Sequence, residues 1–196
     1  MGKSIMPSPD LALQQLLDGN KRFTSASLAH PNQDGERRIS LGNGQAPFAA
    51  VLACADSRVP PEVLFDQGLG DLFVVRVAGN IINDQLLGSL EYAAAHLNTP
   101  LIVVLGHTSC GAIGAVAQGV ELEGHIASLA PAIQPAIDKV KDQEGDLTDN
   151  AAREVARMTA KQLQESQPIM ADLVKEGKLK IVPAFYDLES GEIALL

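Results

Sequence analysis

The chain has 196 residues, of which 46% are hydrophobic and 20% charged, and its formal net charge is −9. That length suits one well-cored domain, predicted over residues 1–196, and the negative charge argues against a nucleic-acid partner, which requires a basic face. The longest apolar runs have about eight residues, far short of the roughly 20 that span a membrane. The first residues lack an apolar signal segment, so we expect a cytoplasmic protein, or a periplasmic one if a leader has been removed.

The first half of the chain contains one helical pattern and three strand patterns. Ser8 followed by Pro9 is typical of a helix start, and apolar residues then recur at helical spacing, which predicts a helical arm over about residues 8–28. Residues 31–44 are polar and rich in glycine, which predicts a loop. Three short runs without polar alternation follow, and they predict buried parallel strands. They span residues 48–53, 72–77 and 101–105.

Helix and strand patterns continue to alternate after the second run. The predicted segments are helices over 85–97 and 110–118, helical structure over 124–176 with breaks at Gly145 and Pro168, a strand over 179–186, a turn at 189–191 and an apolar tail. Strands that alternate with helices predict the α/β class, with a mainly parallel sheet flanked by helices. The first helix and the tail show no evident place within the chain for their apolar faces, so we expect an oligomer.

Both cysteines lie at the ends of predicted strands. Cys54 ends the first apolar run, and Cys110 lies three residues beyond His107, which follows the third run. Two thiolates and one imidazole are a good ligand set for Zn²⁺, and three protein ligands leave a fourth position for water, as in catalytic zinc sites. The carboxyl ends of parallel strands meet at one edge of a sheet, so we expect one zinc ion per chain, bound by these three residues. A disulfide between the two cysteines is the alternative.

Asp56 and Arg58 lie two and four residues beyond the first predicted ligand, within reach of the fourth position. An ionised carboxylate only accepts hydrogen bonds, so Asp56 can orient a zinc-activated water toward an electrophile, or it can itself bind the metal. The planar guanidinium of Arg58 can hold that carboxylate away from zinc. We therefore expect a gate formed by the two residues, with a plain salt bridge as the alternative.

Three segments that carry these residues resemble the signature motifs of the β-class carbonic anhydrases. They are residues 54–62 (CADSRVPPE), 74–80 (VVRVAGN) and 106–112 (GHTSCGA). The resemblance implies that zinc-bound hydroxide attacks CO₂ and that the reaction reversibly forms bicarbonate and a proton. It also implies a homodimer or a dimer of dimers whose substrate pocket is drawn from two subunits.

The resemblance also assigns roles by matched position. Gln45 is similar to the glutamine that bonds the substrate, Phe73 and Tyr92 to the apolar walls of the pocket, and Gly111 to the residue whose backbone faces the substrate. Some family members inhibit themselves through a second bicarbonate site that uses a tryptophan. Val51 stands at that position here, so we expect a zinc site that is open to water.

Three other functions fit part of the pattern. A Cys/His hydrolase would use Cys110 and His107 but would leave Cys54 without a role. A structural zinc module would have a closed shell of four ligands. A related CS₂ or COS hydrolase would share the motifs, so the motifs alone do not exclude it.

Overall fold

Residues 6–196 are described by a computed structural model of the chain. Within them, five strands form one sheet in the order β2-β1-β3-β4-β5. The strands are β1 Ala49–Ala53, β2 Leu72–Arg76, β3 Leu101–His107, β4 Lys180–Tyr186 and β5 Ile193–Leu195. The first four are parallel, and β5 runs antiparallel to β4. The predicted mainly parallel sheet is therefore confirmed, and the tail adds an antiparallel edge strand to it.

Helices flank this sheet, as predicted. They are α1 Pro9–Thr24, α2 Gly35–Ser40, α3 Pro61–Leu64, α4 Asp84–Glu91, α5 Gly111–Ala117, α6 Ala130–Val140, α7 Leu147–Glu165 and α8 Ile169–Lys175. A π-helical turn, Tyr92–His96, continues α4. The helical region after residue 124 breaks near Gly145 and Pro168, where the sequence predicted the breaks.

The two central strands are buried on both faces, which explains their unbroken apolar composition. Every residue of β1 and of β3 is buried. Val51 packs in the layer that contains Leu16 of α1. Leu52 points the other way, into the layer that contains Leu163 of α7. Full burial of one such leucine contributes about 2 kcal/mol, so a polar residue at either strand position would be strongly destabilising.

Helix α1 starts as predicted but packs differently. The Ser8 side chain caps it by accepting a hydrogen bond from the Leu11 N–H, and the helix ends at Thr24 rather than near residue 28. Its apolar residues Ala12 and Leu16 are fully buried against the sheet of the same chain. The expectation that α1 and the tail lack a place within the chain is therefore wrong, because α1 covers one sheet face and the tail pairs with β4.

Asn20 connects α1 to both neighbouring parts of the fold. Its side-chain amide donates to the carbonyls of Leu64, at 3.1 Å, and Gly191, at 2.9 Å, and accepts from the N–H of Ile193 at 2.9 Å. Only 5% of the residue is exposed. Leaving one of these buried groups without its hydrogen-bond partner would cost about 1–3 kcal/mol. The bonds of Asn20 therefore fix the position of α1 relative to β5.

The predicted loop over residues 31–44 is wrong in part, because it contains the short helix α2. Asp34 caps this helix by accepting a hydrogen bond from the Arg37 N–H at 2.7 Å. None of the α2 residues is buried, so the segment has no apolar periodicity that would indicate a helix. The cap followed by Glu36 was the available signal.

Among residues 6–196, none of the helices combines the length and the hydropathy that crossing a membrane requires.

The strand order places a crevice at the carboxyl ends of β1 and β3. Strand β1 lies between β2 and β3, and the chain leaves β1 toward β2 but leaves β3 toward β4 on the other side. The two connections therefore diverge, and in open α/β sheets ligands bind at such a switch point.

Candidate zinc site

Three potential metal ligands meet in this crevice. Cys54 directly follows β1, His107 is the last residue of β3, and Cys110 precedes α5. All three are buried, and their ligand atoms lie within 4.8 Å of one another. The structure thus brings together the three residues that the sequence predicted as zinc ligands.

The distance between the two sulfur atoms fits a metal rather than a disulfide. The Sγ atoms are 3.9 Å apart, and both cysteines are free. A disulfide requires about 2.05 Å, whereas two thiolates on a tetrahedral zinc, each at about 2.3 Å, lie about 3.8 Å apart. The disulfide alternative is therefore wrong for this structure.

The histidine is oriented to offer one nitrogen to a metal. Its Nδ1 lies 2.8 Å from the carbonyl oxygen of Thr108, so Nδ1 carries the proton and donates it, which leaves the lone pair on Nε2. Nε2 is buried and has no hydrogen-bond partner. A buried acceptor without a partner is costly, and a zinc ion between His107 and the thiolates would remove that cost.

The contact between the two thiols favours the ionisation of one of them. The hydrogen bond from Cys110 lowers the pKa of the Cys54 thiol to about 4, and the same bond raises the pKa of Cys110, which retains the shared proton. The N–H of Gly79 also points at the Cys54 sulfur, at 3.3 Å. Because metal binding requires thiolates, a zinc ion would displace the shared proton.

Asp56 is paired with Arg58 beside this cluster. The Arg58 Nε and Nη2 atoms donate to the two carboxylate oxygens at 2.9 and 2.7 Å, and the Arg58 N–H donates at 2.9 Å. The Arg58 guanidinium holds the pKa of Asp56 at about 2, so the carboxylate is ionised. Its Oδ2 lies 3.9 Å from His107 Nε2, so Asp56 borders the ligand cluster while both of its oxygens are engaged by Arg58.

Two neighbouring contacts were not predicted from the sequence. Arg76 donates through Nε to the Cys54 carbonyl at 2.9 Å and through Nη2 to the Asp56 carbonyl. It therefore holds the backbone of the segment from Cys54 to Asp56 in place. Asp149 accepts a hydrogen bond from the Ser109 N–H at 2.8 Å. No local pattern indicates a contact across 40 residues, and only the packing of α7 under the site creates it.

Gly111 is the one predicted substrate residue that lies beside the ligands of its own chain. It directly follows Cys110 at the start of α5. The space next to it is open, since an added Cβ would meet nothing within 4 Å. A small substrate can therefore approach the backbone at this point.

The other three predicted substrate residues lie away from the site of their own chain. Gln45 is exposed and precedes Pro47, whose carbonyl accepts from Thr99 at the amino end of β3. Phe73 pairs with Ala50 near the start of β1. The Tyr92 ring lies 6.4 Å from the Phe73 ring and is 48% exposed. Cys54 follows the opposite end of β1.

Comparison with known proteins agrees with the geometry. A family model described as carbonic anhydrase matches residues 49–193. Carbonic anhydrase from Mycolicibacterium smegmatis is 41% identical over 192 residues, which cover 96% of this chain and 93% of that protein. A β-carbonic anhydrase from Coccomyxa, solved with acetazolamide, is 25% identical, with a TM-score of 0.73 over 94% of this chain and 86% of its own. A tetrameric β-carbonic anhydrase from Sordaria macrospora shares the fold, with a TM-score of 0.77, 24% identity and coverage of 95% and 97%.

The fold and the site define a lyase that uses zinc at the edge of an open α/β sheet. The chain belongs to the β-carbonic anhydrase family. It catalyses the reversible hydration of CO₂ to bicarbonate and a proton, and its Cys54, His107 and Cys110 cluster fits one zinc ion. The structural zinc module and the Cys/His hydrolase are thereby set aside.

Proposed function

We propose that Asp56 and Arg58 gate this carbonic anhydrase and that each substrate pocket is built from two chains. Cys54, His107 and Cys110 would hold the zinc ion. When bound, the ion supplies Lewis-acid activation of water for attack on CO₂. The observation that carries the gate is the two-pronged contact of Arg58 with both carboxylate oxygens of Asp56.

The gate acts by controlling where the Asp56 carboxylate can go. A free carboxylate so close to a zinc site would become the fourth ligand. While Arg58 engages both oxygens, that position stays available for the reaction. Asp56 is ionised and can only accept hydrogen bonds. It can therefore accept a hydrogen bond from the O–H of the attacking nucleophile and orient the nucleophile's lone pair toward CO₂. We therefore assign Asp56 to the gate and not to the resting ligand set.

The location of Gln45, Phe73 and Tyr92 supports a pocket shared by two chains. All three lie near the amino ends of the strands or on the exposed side of β2, which is an edge strand. In this proposal, a second copy supplies the Gln45 amide and the two aromatic walls, while Gly111 faces the substrate from the chain that holds zinc. CO₂ is apolar, so aromatic walls suit it.

A homodimer or a dimer of dimers would satisfy this arrangement. Most soluble homo-oligomers are closed and symmetric, and one twofold axis would complete both pockets at once. The half-exposed Tyr92 beside the edge strand is an apolar surface that a second copy would cover. The tetrameric state of the Sordaria macrospora relative is consistent with a dimer of dimers.

The gate is tested with Arg58→Ala and Asp56→Asn. Arg58→Ala frees the carboxylate, so zinc should be retained while kcat/KM for CO₂ hydration falls by about 10- to 100-fold. Asp56→Asn should also retain zinc and lose activity, because an amide is a poorer ligand and a poorer acceptor. Arg38→Ala removes an exposed arginine of α2 and serves as the control with normal activity. COS and CS₂, offered in the same assay, test the related hydrolase activities.

Normal turnover in Arg58→Ala, together with a crystal structure in which Asp56 stays off the zinc, would contradict the gate. Loss of zinc from that variant would contradict it as well, because the proposal leaves all three ligands intact.

A further inference from the structure

We propose that Asp149 is a positioning residue for the gate and that it acts through Ser109 on Arg58. This inference rests on the proposed Asp56–Arg58 gate. Among the described residues, the hydrogen bond that the Asp149 carboxylate accepts comes from the turn that joins β3 to α5, and not from a zinc ligand or from Asp56.

Asp149 directs its carboxylate away from its own helix. It is the third residue of α7, and its N–H donates to the capping side chain of Asp146 at 2.9 Å. In a capping box, the side chain at this position turns back to the N-cap backbone. Here, Oδ1 of Asp149 accepts instead from the N–H of Ser109, at 2.8 Å. A carboxylate acceptor on a backbone N–H makes a strong bond, so the start of α7 is tied to the turn between two zinc ligands.

Ser109 needs such a bond to keep its conformation. Its φ is 53°, in the left-handed region that residues other than glycine, asparagine and aspartate seldom adopt. With this φ, the Ser109 carbonyl faces Arg58 and accepts from Nη2 at 3.3 Å. The same Nη2 atom donates to Asp56 at 2.7 Å. The two hydrogen bonds of Ser109 thus link Asp149 on one side to Arg58 on the other.

Arg58 has little else to hold it. Its side chain is 53% exposed, and its guanidinium bonds only Asp56 and the Ser109 carbonyl among the described residues. If the Asp149 carboxylate is removed, Ser109 can relax from the left-handed region and turn its carbonyl away. Arg58 then follows the motion of Asp56 instead of restraining it, and the carboxylate can approach the zinc position.

The test compares Asp149→Ala with two matched variants. Asp149→Asn keeps a side-chain oxygen that can accept from Ser109, so it should stay within about threefold of wild-type kcat/KM, whereas Asp149→Ala should lose about 10- to 100-fold. Asn150→Ala removes a different hydrogen bond at the same helix end, to the Glu144 carbonyl at 3.0 Å, and should leave kcat/KM unchanged. Equal damage in Asn150→Ala, or in Asp149→Asn, would overturn the proposal, as would wild-type activity in Asp149→Ala.

Two further readouts separate positioning from a general structural role. The amide proton of Ser109, followed by hydrogen exchange in NMR, should lose protection in Asp149→Ala and keep it in Asn150→Ala. Zinc content should stay at one ion per chain. Loss of zinc would overturn the proposal, because the loss of activity would then come from a disturbed zinc ligand, Cys110, and not from Arg58. Unchanged protection of Ser109 would overturn it too.

A double-mutant cycle separates this inference from the gate itself. If Asp149 acts through Arg58, adding Asp149→Ala to Arg58→Ala should cause no further loss. Independent, multiplicative losses would overturn the role of Asp149 and leave the gate standing. A fully active Arg58→Ala would instead refute the gate, and this inference with it.

Discussion

Mixing two variants with impaired activity tests whether one active site needs two chains. Cys54→Ala removes a zinc ligand, and Gln45→Ala removes the amide assigned to the substrate while leaving the zinc ligands intact. Gln45 precedes β1 and Cys54 follows it, and the five residues of this strand span roughly 16 Å at about 3.3 Å per residue. Within one chain the two residues therefore lie toward opposite ends of β1, and each variant lacks what the other retains.

The size of the recovery follows from twofold symmetry. In an equal mixture with free subunit exchange, about half of the dimers are mixed, and each mixed dimer has one complete site, so about a quarter of all sites are complete. Gln45→Ala alone should retain about 1% of wild-type kcat/KM if losing its amide reduces the rate as much as losing one hydrogen-bond donor of an oxyanion hole. The mixture should then reach about 25% of the wild-type value, measured by stopped-flow CO₂ hydration.

A second mixture controls for nonspecific rescue. Cys54→Ala with His107→Ala places both defects in the zinc ligand set, so no chain offers a complete one and the mixture should stay inactive. The shared pocket is refuted if native mass spectrometry shows mixed dimers of Cys54→Ala and Gln45→Ala while activity does not recover. Full activity of Gln45→Ala alone would also refute it.

Three further predictions concern stability, metal content and pH. Asp66→Ala should lower the free energy of unfolding by about 3 kcal/mol, or roughly 6–12 °C in Tm, because the Asp66 side chain is 1% exposed and binds Arg22 at 2.6 Å. Asp18, whose side chain is half exposed, serves as the control, and Asp18→Ala should leave stability nearly unchanged. Burial acts to raise the pKa of Asp66, but hydrogen bonds from two backbone N–H groups and Arg22 lower it below 3.8. The stabilisation by Asp66 is therefore complete above pH 3.8 and is lost as pH falls through the lowered pKa. Calorimetry should show that the stability difference between wild type and Asp66→Ala shrinks in acid. Elemental analysis should find one zinc per wild-type chain and almost none in Cys54→Ala, because two ligands remain; full zinc in that variant would contradict the ligand assignment. Activity should rise with pH above neutrality, because two thiolates weaken the pull of zinc on water, and a kcat/KM profile already flat at pH 6 would contradict this.

The zinc ligands could be predicted from the sequence because each follows a strong local signal. Cys54 and His107 stand at the ends of unbroken apolar runs, and such runs are typical of central parallel strands. Parallel strands bring their carboxyl ends together whatever the rest of the chain does, so two local patterns were enough to predict a contact across 53 residues. The strand positions were accordingly predicted to within two residues at each end.

Other features either lack apolar periodicity or depend on packing between distant parts of the chain. Helix α2 buries nothing, so it has no periodicity, and the docking of α1 depends on a sheet face formed much later in the chain. The bond from Asp149 to Ser109 depends on where α7 crosses the sheet. The cytoplasmic location stays a prediction.

The Asn20 contacts have a consequence for the order in which the chain is made. Asn20 is synthesised early, but two of its three partners, Gly191 and Ile193, come 171 and 173 residues later. At about 5–20 residues per second, a ribosome needs roughly 10–30 s to reach them. During that interval α1 lacks the two hydrogen bonds that join Asn20 to the segment around β5. A chaperone can therefore bind the apolar face of α1 in the nascent chain until β5 has been synthesised. Shortening the C-terminus by a few residues should therefore reduce the yield of folded protein more than the small area of β5 suggests.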